Sequence, residues 1–429
     1  MDAFTRREGE LYCEDVPVSE LVARWGTPAY VYSRTALRTR LQDLSDAFGS
    51  HPHLIAYSVK ANGNLAVLRT LADMGAGADI VSGGELYRAR LAGIPAQRIL
   101  FSGVGKTLPE LAAALREGIY AFNVESEGEL RSLSELAQAM GKTAPIAFRI
   151  NPNIDTPTPH AYTRTGHAAT KFGVPIHDAM RLYRIASELP GIAVRGIDMH
   201  LGSQILAIEP YHVALEQALE MVARLKEEGH ELEFLDLGGG LGISYSGGEG
   251  IPADLLADSI VPSLRETGLR LILEPGRYIV GHAGILLTRV LYVKEGGGKR
   301  FVVTDAGMND LLRPSHYAGY HAVEPILSRD REHARVDVVG PICETGDFLA
   351  LDREIERVEP GELLAVMTAG AYGFSMSSTY NQRPRPVEIL VDGDRAELVR
   401  RRETIQDLVA AELDLTPEEK QLGAHKGIL

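Results

Sequence analysis

A chain of 429 residues exceeds what one compact core usually covers, so two domains, or one large barrel with an appendage, are expected. Its 45% hydrophobic and 24% charged residues are ordinary for a folded enzyme and exclude a disordered tract. With 58 acidic against 44 basic residues, a formal charge of -14, nucleic acid or an anionic membrane is disfavoured as the main partner.

The opening segment, Met1 to Glu20, carries acidic groups throughout and lacks a signal peptide's apolar core, and no later apolar run approaches membrane-spanning length. A cytoplasmic location is expected. Ala29 to Tyr32 makes a short strand-like run ahead of the first barrel helix. From residue 54 to about 280, β-branched or apolar runs alternate with segments of helical period. The predicted strands are Leu54 to Lys60, Ala76 to Val81, Arg98 to Gly103, Tyr120 to Val124, Pro145 to Asn151, Val194 to Leu201, Phe234 to Gly238 and Arg270 to Glu274. Helical candidates between them include Asn64 to Gly75, Gly84 to Gly93, Leu108 to Gly118, Glu127 to Gly141, Tyr211 to Gly229 and Ala253 to Gly268, many stopped by Gly.

Such a succession of strand-helix units fits a (β/α)8 TIM-type barrel, which takes about 250 residues, with a doubly wound open sheet as the alternative. The barrel is favoured by where the unusual residues fall. Lys60, Asp79, Arg149, His200, Gly238 to Gly240 and Glu274 all lie at or near strand C-terminal ends, the catalytic face of a barrel. Beyond residue 284 the pattern turns β-rich, with runs such as Ile285 to Val293, Arg300 to Asp305, Ala334 to Val339, Leu363 to Met367 and Pro386 to Val391. The expected fold class is therefore α/β plus β. A barrel domain is expected over 36–283, and a β-sandwich or barrel-like domain from 1–35 plus 284–429.

Lys60 ends the apolar run Ile55-Ala-Tyr-Ser-Val-Lys-Ala-Asn62, so its amine should project into the barrel mouth, where burial would depress its pKa and favour imine formation. Taken alone it reads more readily as an ordinary strand-end lysine reaching water. Leu237-Gly-Gly-Gly-Leu-Gly242 follows the seventh strand and can bring bare amides to an anion, phosphate being the natural guest, although a flexible turn explains the glycines equally well. Glu274-Pro-Gly-Arg277 closes the eighth strand, and its carboxylate can keep a pyridine nitrogen protonated; the competing reading is a Glu-Arg salt bridge beside a turn. His200-Leu-Gly-Ser203-Gln204 offers an imidazole to stack on a planar ring and a hydroxyl for its phosphate. Asp79 and Arg149, singly, read as ion-pair members. In the second domain, Gly340-Pro-Ile-Cys343-Glu344-Thr-Gly-Asp347 sets a thiol beside a carboxylate between turn residues, as a general acid or as a buried inert cysteine. Cys13 and Cys343 cannot together form a disulfide framework or a complete zinc site, so no metal is expected.

Taken together, Tyr57-Ser-Val-Lys-Ala-Asn62, His200-Leu-Gly-Ser-Gln204, Glu274-Pro-Gly-Arg277, Cys343-Glu-Thr-Gly-Asp347 and Gly370-Ala-Tyr-Gly373 resemble the diaminopimelate decarboxylase family, within the alanine-racemase-like, fold type III pyridoxal-phosphate enzymes. The resemblance runs from about residue 26 to residue 409. It implies pyridoxal 5'-phosphate carried by Lys60, with Asp79 beside it, His200 stacked on the ring and Glu274 at its nitrogen. Ser203, Gly239, the Gly276-Arg277 amides and Tyr372 would hold the phosphate. It further implies a head-to-tail homodimer in which the partner subunit lends Cys343 and Glu344, with Cys343 returning a proton after CO2 departs. The implied reaction takes meso-2,6-diaminopimelate to L-lysine, the last step of lysine biosynthesis. Arg277, Arg313 and Tyr317 would grip its second carboxylate, while Glu344 meets its second ammonium and Tyr372 also contacts substrate. Relatives acting on ornithine, arginine or carboxynorspermidine, or a non-catalytic cofactor-binding regulatory protein, are the alternatives. Thr345 in place of the commoner serine, and Pro157 and Pro159 in the loop leading to Lys171-Phe-Gly173, depart from the pattern.

Overall fold

The computed structural model describes residues 3–154, 170–247 and 250–415; Pro157 and Pro159 therefore lie outside the described residues. The chain divides into two compact units, one of residues 34–283 and one joining the residues up to Ser33 with those from Gly284 onward.

In the first unit eight strands form a closed parallel ring: β1 (His53–Ser58), β2 (Gly77–Ile80), β3 (Ile99–Phe101), β4 (Ala121–Val124), β5 (Ala144–Asn151), β6 (Ile192–Asp198), β7 (Phe234–Asp236) and β8 (Arg270–Leu273). Closure comes from β8 pairing with β1, through Leu271 with His53 and Leu273 with Ile55. Helices cover strands that are buried on both faces, which is why the strands read as continuous apolar runs rather than as alternation. Several predicted strand ends move, β3 stopping at Phe101 and β7 at Asp236, each two residues short of the predicted limit. β1 stops at Ser58, after which Val59–Ala61 turns as a 3-10 helix carrying Lys60, and β6 stops at Asp198, two residues before His200. Buried Val59, Met199 and Leu201 prolong the apolar signal beyond the last ladder hydrogen bond.

Two helices absent from the predicted set complete the ring. Ile176–Glu188 follows β5, and Arg34–Phe48 packs against both Ala253–Arg265 and Leu65–Asp73. The latter buries Leu37, Leu41, Leu44 and Phe48, one stripe at helical spacing.

The barrel interior is layered. Leu54, Ala56, Leu100, Ala121, Ala147, Phe234 and Ile272 form one apolar cluster. Phe234 fills the space opposite Gly196, where a Cβ would come within 2.7 Å of its ring. Strand side chains alternate, so the residues two positions on face the same interior, one step nearer the C-terminal rim. On the eight strands or just beyond them these are Ser58, Asp79, Ser102, Asn123, Arg149, Asp198, Asp236 and Glu274. Every one is polar and every one is buried.

In the second unit the 13-residue strand Gly284–Gly296 is the hub, antiparallel to Ala29–Ser33, Lys299–Thr304 and Leu363–Val366. The sheet runs Phe348–Glu356, His333–Val339, Lys299–Thr304, Gly284–Gly296, Ala29–Ser33, Val387–Asp392, Arg395–Arg400. Ala29–Ser33 thus sits between two partners, and all five of its residues are buried. Its core gathers Leu11, Cys13, Val18, Val31, Ile285, Leu287, Ala365 and Ile389. Phe348–Glu356 escaped prediction because its middle, Leu351-Asp-Arg-Glu354, is exposed or half-buried.

Candidate active site

The polar layer at the barrel rim brings most of the predicted cofactor residues together. Lys60 Nζ lies 2.7 Å from Asp79 Oδ2, which also accepts Ser58 Oγ at 2.8 Å. The Lys60 side chain retains 36% exposure, so the burial expected for its amine is not met: the turn that follows β1 lifts it toward the mouth, where a buried carboxylate holds it. Glu274 follows β8 and meets neutral donors, Asn123 Nδ2 at 3.3 Å and Ser102 Oγ at 3.4 Å. No Glu274-Arg277 salt bridge forms. The Arg277 guanidinium instead donates to the hydroxyls of Tyr245 at 2.5 Å and Ser203 at 3.2 Å.

His200 is pushed down to about 3, first by burial and then by the charges of Arg149 and Lys60, so its ring is neutral throughout the physiological range. Its Nδ1 accepts the Gly239 N–H at 3.2 Å, which leaves the ring proton on Nε2. The 3.8 Å separation between Nδ1 and Glu274 Oε2 is consequently not an ion pair. The Gly239 amide, expected to face phosphate, is directed at His200. The loop is nonetheless bare backbone against its neighbours: a Cβ on Gly239 would overlap the Glu274 carbonyl oxygen, and one on Gly238 would come within 2.6 Å of His200 Nδ1. Gly276 caps the short turn Arg277–Val280 and packs against Ser58 and Ala61.

Several members of this layer escaped the sequence reading. Asp198 and Asp236 lie opposite one another across the β6–β7 ladder, and both carboxyls are raised well above the usual range, by burial first and by Glu274 second. Glu125 accepts the Gly103 N–H at 2.9 Å and Arg149 Nη1 at 3.3 Å on one oxygen, and the Gly173 N–H at 2.8 Å on the other. For Asp236 the available signal was a polar residue two positions after the inward-facing Phe234, and for Asp198 one two positions after Gly196, which packs against that ring.

The second unit gathers its own loop cluster. Cys343 and Glu344 are exposed, so the buried-cysteine reading is set aside. Their loop is pinned by Asp347, whose carboxylate accepts the N–H groups of Met308 at 2.6 Å and Ile342 at 2.5 Å. Asn381 Oδ1 accepts the Cys343 N–H at 2.8 Å, and Tyr380 is hydrogen-bonded to Glu344, which raises its phenol above the ordinary range; neither residue stood out in the sequence. Arg313 is buried at the start of the short helix Arg313–Tyr317, and Tyr317 at its end packs edge-on to His316. Gly346 packs near both Ser315 Oγ and the Glu344 carboxylate, bringing that helix and the cysteine loop together. Tyr372 lies in the neighbouring Gly370–Phe374 segment with a left-handed backbone, φ 55°.

A (β/α)8 barrel with a lysine at its rim, a carboxylate met by neutral donors and a side-chain-free glycine loop has the donor set of a pyridoxal-phosphate site. Asp79 Oδ1 and Asn123 Oδ1 are buried there without a hydrogen-bond partner, unspent polar capacity of the kind a polar ring system uses. In keeping with this class, the family model described as "Pyridoxal-dependent decarboxylase, pyridoxal binding domain" matches residues 34–281. A diaminopimelate decarboxylase of Aquifex aeolicus is 49% identical over 410 residues, spanning 95% of this chain and 97% of the relative. One from Pseudomonas fluorescens is 49% identical over 423 residues, 97% and 100% of the two chains. The crystal structure of diaminopimelate decarboxylase from M. jannaschii in complex with L-lysine superposes with a TM-score of 0.91 at 38% identity, covering 97% of this chain and 98% of that one. The chain belongs to the diaminopimelate decarboxylase family. Among the described residues no group of side chains suited to a metal ion is found, and no helix is long and apolar enough to cross a membrane.

Proposed function

We propose that the protein decarboxylates meso-2,6-diaminopimelate to L-lysine, using pyridoxal 5'-phosphate, in the cytoplasm as the closing step of lysine biosynthesis. The observations that carry this reading furthest are the buried Arg313 guanidinium, suited to a second carboxylate, and the exposed Glu344 carboxylate, suited to a second ammonium in the partner subunit's site. A substrate with an amino-acid group at each end uses both, and losing either would leave a charge unpaired.

Bound pyridoxal phosphate supplies the electron sink for the pair released when the bond to the departing carboxylate breaks. Lys60 is the residue whose Nζ carries the cofactor, with Asp79 steering that amine. Glu274, hydrogen-bonded by Ser102 and Asn123, is matched to a protonated pyridine nitrogen. Neutral His200 gives the ring a flat, uncharged face, held by the Gly239 amide. Ser203, braced by Arg277, would receive the phosphate with the backbone amides of Gly276 and Arg277, and Tyr372 would complete its shell. Cys343 delivers a proton from Sγ to the carbon that has lost CO2, and water later restores the thiol. Arg277 and Tyr317 assist Arg313 at the far carboxylate. The homodimer places Cys343 and Glu344 of one subunit at the Lys60 site of the other.

A substrate panel tests this. Release of CO2 and L-lysine from meso-diaminopimelate is expected, with little turnover of ornithine, arginine or lysine. Preference for any of those three amines rejects the assignment.

A further inference from the structure

His321 is fully buried in the second unit, and its bonding leaves one protonation form. Nδ1 lies 2.8 Å from the Met367 carbonyl oxygen, and Nε2 lies 2.7 Å from Arg313 Nη1. A carbonyl oxygen only accepts, so Nδ1 carries the proton. A guanidinium only donates, so Nε2 presents its lone pair. The neutral Nδ1–H tautomer satisfies both; an imidazolium would set N–H against N–H and one cation against another.

The ring is anchored from both sides. The Met367 N–H donates to the Ala322 carbonyl at 2.8 Å, tying the end of Leu363–Val366 to the residue after His321. Arg353 donates to the His321 carbonyl at 3.2 Å while stacking 3.8 Å over the Tyr320 ring. The imidazole is therefore a fixed acceptor that sets the direction of one guanidinium nitrogen. Because a guanidinium recognises a carboxylate through its planar fork, the orientation of that plane decides how well the two match.

We propose that His321 is a positioning residue for substrate specificity: it aligns the Arg313 guanidinium with the distal carboxylate of the substrate. This rests on the reading of Arg313 given above. His321 acts through Arg313 and takes no part in bond breaking, so its loss weakens substrate binding rather than the chemical step.

The test compares the steady-state kinetics of the holoenzyme on meso-diaminopimelate for wild type, His321→Leu, His321→Gln, His321→Asn and Arg313→Ala. Gln places an acceptor near the position of Nε2, whereas Asn places one near Nδ1. His321→Leu is expected to raise KM about ten- to a hundredfold while kcat stays within about threefold, the mark of lost binding. His321→Gln should recover most of that KM, and His321→Asn should not. If the Leu variant fails to fold, the Gln–Asn comparison decides alone. An unchanged KM in His321→Leu, a fall in kcat alone, or equal behaviour of Gln and Asn overturns the proposal. Arg313→Ala separates the two claims: an unchanged KM there refutes the reading of Arg313, whereas a raised KM beside a normal His321→Leu refutes only the role of His321.

Discussion

Glu125→Gln is the most direct test of how the barrel rim is held. The side chain is 2% exposed, and its two oxygens serve three donors, the backbone N–H groups of Gly103 and Gly173 and the guanidinium of Arg149. Its own N–H is tied to Glu129 Oε2 at 3.0 Å, and Glu129 in turn pairs with the buried Lys106 ammonium at 2.7 Å, so the backbone cannot retreat. Glutamine keeps the shape but has one oxygen, and its NH2 must face at least one of the three donors. Leaving a buried N–H unsatisfied costs about 1–3 kcal/mol, and weakening the partner of a buried guanidinium adds to that. A total near 3 kcal/mol is expected, which for a unit of this size corresponds to about 6–12 °C in Tm. Calorimetry of the holoenzyme reads the shift. A change below about 2 °C would mean that the three hydrogen bonds are not the fastening inferred, and the account of the rim would be wrong.

Asp310 supplies a pH test. Burial pushes its carboxyl up to about 7, so the folded state binds the proton more tightly than the unfolded chain does. The stability this contributes is complete below the ordinary aspartate range and is lost as pH rises through about 7. Wild type should lose about 2–3 kcal/mol from this group between pH 5 and pH 8, and Asp310→Asn should remove that slope. The buried Asn309 Oδ1, which lacks a partner, can accept from the new amide; urea unfolding at the two pH values checks the difference, and a slope retained in the variant contradicts it. Cys343→Ala should cut kcat at least about a hundredfold while leaving cofactor absorbance intact, in the range of a lost general acid. Mixing it with Lys60→Ala chains should restore part of the activity through hybrid dimers, and no recovery counts against shared sites.

How far the sequence could be read follows from what periodicity carries. The barrel was legible because doubly covered strands are apolar runs of strand length, and Lys60, His200 and Glu274 were legible because motifs cluster where those runs end. Asp198 and Asp236 were hidden inside such runs. They become partners only through the β6–β7 register, which places them opposite one another although 38 positions separate Asp198 from Asp236. His321, Tyr380 and Asn381 sit in or beside loops without a period, and their roles depend on contacts with Arg313, Glu344 and Cys343 that no spacing encodes.

The polar layer also shows how one barrel tolerates so much buried charge. Lys60 is matched by Asp79, and Arg149 by Glu125. Burial together with the charge of Glu274 favours the protonated forms of Asp198 and Asp236, and burial with the nearby cations keeps His200 neutral. What the layer then presents is Glu274, supported by the neutral donors Ser102 and Asn123. Isolated buried charge is costly, so a carboxylate set among neutral donors gains most from a ligand that brings its own positive charge. A protonated pyridine ring does so, and the same physics that raises Asp198 and Asp236 makes Glu274 the member of the layer suited to receive it.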